Sequence, residues 1–182
     1  MNTAIGLDIS MTRTGVTVLE EGGRIIASEI VKSKPQGDKP ADETRRMLKI
    51  VEDVILFADE AMGGASPTLV AIENLAFMAQ GTSLTQLAGL HHVIRFILQD
   101  ALGWPFVLVA PTTLKKYCTG SGKGEKDMMA VNIFKDYGFQ GRDNNEFDSY
   151  GLAAIGLAVA GTPLKSLTVP QKEVVKLISK QI

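Results

Sequence analysis

The run Leu69–Val70–Ala71–Ile72 limits what this chain can fold into more than any other stretch. Consecutive apolar residues leave no side for solvent, so the run reads as a strand buried on both faces of a sheet. Such a sheet needs a layer of helices on each side. The run ends at Glu73, and a carboxylate at the rim of a buried strand is costly unless something pairs with it. Near the N-terminus Ala4–Ile5–Gly6–Leu7 runs into Asp8 in the same way. A third carboxylate, Asp148, opens an apolar helical stretch. In open α/β sheets the strand ends are where ligands and catalysis gather.

The rest of the chain supplies the scaffold. Ala4–Asp8, Gly15–Leu19 and Arg24–Val31 read as three strands, the last two joined through the hairpin signal Glu21–Gly22–Gly23. Asp42 is a plausible N-cap. Met47, Leu48, Ile50, Val51, Val54, Ile55 and Ala58 recur with helical spacing, which predicts a helix over Glu43–Ala61 ended by Gly63–Gly64. Leu69–Glu73 is the fourth strand, Leu84–Leu102 a long helix ended by Gly103, and Phe106–Val109 the fifth strand. Pro111–Tyr117 reads as a short helix with Pro at its start. A glycine-rich loop, Thr119–Gly124, leads to a helix over Glu125–Tyr137. After a loop, Gly138–Asn145, comes an Ala- and Gly-rich helix, Glu146–Ala160, suited to close packing on a sheet. Residues 1–161 form the body, and 162–182 read as an extension of the same domain, with a short amphipathic helix in Gln171–Ile182.

Three antiparallel strands before any helix, then strands alternating with helices, predict an α/β protein. Its five-stranded mixed sheet begins with the three antiparallel N-terminal strands, continues with parallel ones and has helices on both faces. That is the plan of the ribonuclease H-like fold, whereas a Rossmann fold would alternate from the start.

At 182 residues the chain suits one domain with a sizeable core. No apolar run is long enough to cross a membrane, no secretory signal is visible, and the single Cys118 rules out an internal disulfide framework or a Cys-rich zinc site. A cytoplasmic protein is the simplest reading. The net charge of −1 means that a polyanion must be held by a local basic patch.

Asp8, Glu73 and Asp148 cannot gather without counter-charge, because like charges repel strongly in a low-dielectric site. Oxygen-only ligands, without Cys or clustered His, point to Mg²⁺ or Mn²⁺. Two such ions about 4 Å apart would clamp the attacking and leaving oxygens of a phosphoryl transfer. Each acid alone reads equally well as a cap or an ion-pair partner. His91 and His92 stand side by side on the long helix and are not metal ligands by spacing. Lys115, Lys116, Lys123 and Lys126 cluster around the glycine-rich loop, where backbone can approach phosphate closely before a helix N-terminus. A Walker A loop is excluded because no Ser or Thr follows a lysine at the required spacing. A solvated loop is the plain reading of such a cluster. Phe77 and Met78, just past Glu73, either stack on unpaired bases or belong to the core.

These motifs together resemble the RuvC-type Holliday junction resolvases, more particularly their phage-like branch. Gly6–Leu7–Asp8 followed by Thr14–Gly15 is similar to the family's first-strand motif, with Ile9–Ser10 where Pro-Gly is common. Ala71–Ile72–Glu73–Asn74 with Phe77–Met78 resembles its second acidic motif and base-stacking aromatic, one residue further from the acid. Lys115 and Lys126 match two essential lysines, and Asn144–Asn145–Glu146–Phe147–Asp148–Ser149 the final acidic motif. The resemblance implies a homodimer on a four-way DNA junction, its interface on the helix Leu84–Leu102. It implies metal-dependent cleavage of opposed strands to 5′-phosphate and 3′-hydroxyl ends. Asp8, Glu73, Asp148 and Lys126 would be catalytic. Lys115, Lys116, Lys123, Lys126, Phe77 and Met78 would contact DNA. The family has Asp or His three positions before the final Asp, where this chain has Asn145. An Asn carbonyl can ligate a metal but brings no charge, and Asp143 and Glu146 are the other candidates for a fourth ligand. Sugar and acetate kinases also begin with an Asp-containing strand and hairpin, but this chain is too short for their duplicated domain. Another nuclease of this fold acting on branched DNA is an alternative, and so is a non-catalytic DNA-binding homologue, which three retained acids argue against.

Overall fold

The computed structural model describes residues 1–75, 82–123 and 126–182, by backbone alone at 82, 83, 126 and 127. Strands β1 (Thr3–Asp8), β2 (Arg13–Glu20) and β3 (Ile25–Lys32) form an antiparallel meander, with Leu7 opposite Val16 and Val16 opposite Glu29. Helix α1 (Pro40–Met62) crosses to β4 (Leu69–Glu73), which pairs parallel with β1. Helix α2 (Thr82–Phe96) passes into a π-helical turn, Ile97–Ala101, and leads to β5 (Phe106–Val109), parallel with β4. The sheet order is β3-β2-β1-β4-β5. Helices α3 (Pro111–Thr119), α4 (Lys126–Tyr137), α5 (Asn144–Val159) and α6 (Val169–Ile178) follow, then a 3₁₀ turn, Ser179–Gln181. This is the mixed sheet that the order of elements predicts, and β4 and β5 occupy the expected residues.

Helix starts are where expectation and structure part. Asp42 is not the N-cap of α1: the helix begins at Pro40, whose fixed φ suits the first helical position. The Asp42 carboxylate instead accepts from the Lys39 backbone N–H at 3.3 Å. Helix α5 starts at Asn144, so Asn145 belongs to the helix and not to a loop. Asp143 is its N-cap and accepts from the Glu146 N–H at 3.2 Å. Helix α6 begins at Val169 because Gln171 reaches back to accept from the Thr168 N–H at 3.0 Å. The long second helix keeps its length but widens into the π turn, closed by Gly103 at φ 62°.

Alternate strand residues feed two cores. Ile5, Leu7, Val16, Val18, Val70 and Ile72 meet Ile50, Val51 and Val54 of α1, Leu90 and Ile94 of α2, and Leu98 of the π turn. Ala4, Leu19, Leu69, Ala71, Val107 and Val109 meet α5, with α3, α4 and α6 packed around it. His91 is buried, and burial pushes its imidazole down to about 4, so it stays neutral at physiological pH. Among the described residues no helix is long and apolar enough to cross a membrane.

Candidate active site

Residues Leu7 and Ile72 are paired partners on neighbouring parallel strands, and Asp8 and Glu73 are the next residues along each. Side chains alternate along a strand. Asp8 therefore shares the face of Ala4 and Gly6, and Glu73 that of Leu69 and Ala71, which is the face covered by α5. The first turns of α5 lie over the same end of the sheet. Two glycines let it come so close. A Cβ on Gly6 would lie 1.9 Å from the Ser149 carbonyl oxygen, and one on Gly15 would lie 2.2 Å from that of Asn145. No side chain fits either place, so helix backbone rests on strand backbone. The Thr17 and Ser149 hydroxyls, 2.8 Å apart, fix the register between them.

This contact brings Asp148 to the strand ends. Asp148 is nearly buried and shares with Glu73 a cleft of about 210 Å³, whose other walls are Pro111, Leu114, Lys115 and Met129. Asp8 ends the strand beside Glu73. All three acids take part in polar or electrostatic interactions. The cleft thus joins carboxylates from β4 and α5 with a lysine from α3. A larger concavity, about 410 Å³, lies at the start of α1 between Ser33, Gln36, Arg46 and Lys49. Its cations are already engaged: Arg46 donates to the Met11 carbonyl and to the Ser33 hydroxyl, Lys49 to Asp53 and Arg45 to Asp42. The smaller cleft, which gathers Glu73 and Asp148, is the candidate site.

Among the described residues, no three His, Cys, Asp or Glu side chains form a ready-made metal cage. The donor set near the cleft is nevertheless all oxygen, which suits Mg²⁺. That ion keeps several waters and is commonly held by one or two carboxylates together with substrate phosphates rather than by a closed protein cage. Cys118 offers no thiolate: burial pushes its thiol up, and the neighbouring Asp148 charge adds to the shift.

The candidates for a fourth ligand separate clearly. Glu146 lies two residues before Asp148, and that spacing turns the two side chains to nearly opposite sides of a helix. Its carboxylate accepts from the Arg142 N–H at 2.5 Å, from the Arg142 guanidinium at 2.7 Å and from the Ser28 hydroxyl at 3.4 Å, away from the cleft. Burial raises its carboxyl, but the Arg142 bonds outweigh that and hold it below the usual range. Asp143 caps α5 and is paired with the Arg13 guanidinium, which with the backbone N–H groups outweighs burial and keeps its carboxyl low. Asn145 is one turn before Asp148 on the same helix face, with its amide N–H donating to the Arg13 carbonyl. Glu146 and Asp143 are therefore committed elsewhere, and Asn145 is the one beside Asp148.

Of the lysines, Lys115 lines the cleft, Lys116 is ion-paired with Glu173 of α6 at 2.5 Å, and Lys123 is exposed in the turn after α3. Lys126 starts α4, with its side chain outside the described residues, and Phe77 and Met78 lie outside them altogether. Sequence reasoning passed over Met129, Pro111 and Arg13. Arg13 opens the strand antiparallel to β1, so a cation just before Thr14–Gly15 was the signal for it.

No family model matches the chain. It is 30% identical over 139 residues to the crossover junction endodeoxyribonuclease RuvC of Corynebacterium diphtheriae, spanning 74% of this chain and 79% of that one. It is 27% identical over 181 residues to the protein of the same name from Parafrankia sp., spanning 91% and 96%. In fold it is similar to Thermus thermophilus RuvC in complex with Holliday junction substrate, with a TM-score of 0.66, 22% identity, and 89% and 98% of the two chains covered.

Proposed function

Since the chain belongs to the RuvC family of crossover junction endodeoxyribonucleases, we propose that it cleaves four-way DNA junctions by hydrolysing one phosphodiester in each of two opposed strands. The observation that carries this reading is the meeting of Glu73 and Asp148 with Lys115 in one cleft, at the strand end next to Asp8. Asp8, Glu73 and Asp148 would hold Mg²⁺ or Mn²⁺, two ions per site, with the Asn145 carbonyl as the candidate neutral donor. Bound ions supply positive charge to the phosphoryl oxygens and make water a competent nucleophile.

The chain's own residues do the rest. The acids fix where the scissile phosphate can sit, because they repel it everywhere except through the cations they hold. Lys115 reaches the same cleft and offsets the charge that grows on the phosphate in the transition state. Lys126, at the start of the next helix, is assigned the matching role. A water oxygen bonds to phosphorus as the bond to the 3′ oxygen breaks; the water gives up a proton and the departing 3′ oxygen gains one, leaving a 3′-hydroxyl on one fragment and a 5′-phosphate on the other. Lys123 and Lys116 border the path of the DNA backbone, where cation–phosphate contacts supply affinity without sequence preference. Phe77 and Met78 are assigned to unpaired bases at the crossover.

Two opposed cuts need two sites, hence a homodimer. Support comes from the α1–α2 face. Phe96 is 64% exposed, Leu56 57% and Leu48 45%, and a groove lined by Val51, Ile55 and Ile97 runs beside them. A contiguous apolar surface of this kind is what a partner subunit covers. The test is cleavage of a synthetic four-way junction with Mg²⁺ and with EDTA. Paired cuts with Mg²⁺ and none in EDTA are expected, and equal cutting in EDTA would refute the metal-dependent reading.

A further inference from the structure

We propose that the C-terminal segment Val169–Gln181 is a brace that sets the Lys115 wall of the cleft, with Gln181 and Gln171 as positioning residues; this rests on the resolvase reading above. Lys115 stands on α3, a helix of 9 residues. A helix so short is not stable by itself, so its position is dictated by what it packs against. Two ends of the stretch around it are held by the C-terminal segment.

The first is β5, the edge strand that leads through Ala110 into α3. Its outer rim is taken at Leu108 by one side chain. The Leu108 N–H donates to Gln181 Oε1 at 2.9 Å, and Gln181 Nε2 donates to the Leu108 carbonyl at 2.9 Å. Two bonds exchanged with a single residue is the pattern of a hydrogen-bonded pair in an antiparallel ladder. The side-chain amide stands in for a missing strand and closes an edge that would otherwise be open to pairing. The next residue, Val109, is the partner of Glu73 across the sheet.

The second held end is the last turn of α3. The Gln171 Nε2 donates to the Tyr117 carbonyl at 3.2 Å, and the Lys116 ammonium donates to Glu173 at 2.5 Å. Helix C-terminal carbonyls lack partners within the helix, and Gln171, itself buried, provides one. Its Oε1 is spent on the Thr168 N–H and hydroxyl, at 3.0 and 3.1 Å. Val174 and Ile178 sit in the same core as Leu114 and Tyr117. Packing alone would be served by apolar side chains at 171 and 181. Two amides bonded to the backbone on either side of Lys115 fix direction as well as contact.

The experiment compares Gln181→Met, Gln171→Met and the double variant in two backgrounds, wild type and Lys115→Ala, on one synthetic junction. Methionine keeps the length and removes the bonds. The double variant is expected to cut about tenfold slower with junction affinity held within about twofold, and to change the rate by less than about twofold when Lys115 is already gone. Equal slowing in both backgrounds, or none in either, overturns the brace. Hydrogen exchange gives a reading that needs no activity: the Leu108 amide should exchange at least about tenfold faster in Gln181→Met. Wild-type protection there overturns the proposal. If the wild-type protein cuts no junction, the resolvase reading falls and exchange at Leu108 alone decides the brace.

Discussion

On the α5 face of the central strands the inward residues are Ala4, Gly6, Leu69 and Ala71, small apart from Leu69; on the α1–α2 face they are Ile5, Leu7, Val70 and Ile72. The small set lets a helix lie directly on strand backbone, and that helix carries Asp148. The large set keeps its helices at side-chain distance, and the outer surface of those helices retains exposed Leu48, Leu56 and Phe96. Close contact on one face fixes the distance between a helix carboxylate and the strand-end carboxylates. Contact through side chains on the other sets no such backbone distance, and the apolar outer surface there is the one proposed above for a second subunit. On the proposed reading, the same five strands serve catalysis on one side and association on the other.

The largest effect should come from breaking the close face. Gly6→Ala places a methyl group against the Ser149 carbonyl and should cost about 3 kcal/mol, whereas Ile5→Val on the opposite face should cost about 1 kcal/mol. Urea unfolding of the two variants measures this contrast, and similar losses would mean that the faces are packed alike. Next in size is an effect on assembly. Phe96→Glu and Leu56→Glu should shift sedimentation from dimer to monomer and lower the melting temperature only by the stability that association supplies. Junctions should then receive single unpaired nicks. Variants that stay dimeric would place the interface elsewhere.

The strands were legible because β4 and β5 are apolar runs with sharp polar or Pro boundaries, and the acids were legible because Asp8 and Glu73 end apolar strands and Asp148 stands at the start of an apolar helical stretch. The helix starts were not. Asp143, Asn144 and Asn145 can all cap a helix, and what selects Asp143 is its ion pair with Arg13, a residue 130 positions away. Likewise Arg142 stands only four residues before Glu146, but nothing in the sequence tells that Ser28, 118 positions away, also holds the carboxylate away from the cleft. Lys116 reads in sequence as one more lysine of the phosphate cluster, and nothing near it tells that Glu173 of α6 pairs with it. What the sequence hides in each case is a tertiary partner for a charge.

The smallest expected effect concerns the pair of buried Glu146 with exposed Arg142. The Glu146 carboxyl is held below its ordinary 4.5 in the folded protein. A depressed folded value contributes stability that is present above the unfolded value and is lost as pH falls through the folded one. Glu146→Gln should therefore be less stable than wild type near neutral pH, with the gap closing as pH drops below 4.5. A gap that does not change with pH would show that Arg142 does not favour the charged form.

The central claim is that Asp8, Glu73 and Asp148, from β1, β4 and α5, act as one site. The most direct measurement is the single-turnover cleavage rate of one four-way junction by Asp8→Asn, Glu73→Gln and Asp148→Asn, each also assayed for metal-free junction binding and melting temperature. Each amide keeps the shape of the acid and removes the charge that would hold the cations. The account predicts a fall of about 10²–10³-fold or more in every rate, with folding intact and metal-free binding equal or tighter because a charge repelling the phosphates is gone. Wild-type cleavage by any one of the three would contradict it and remove that residue from the site.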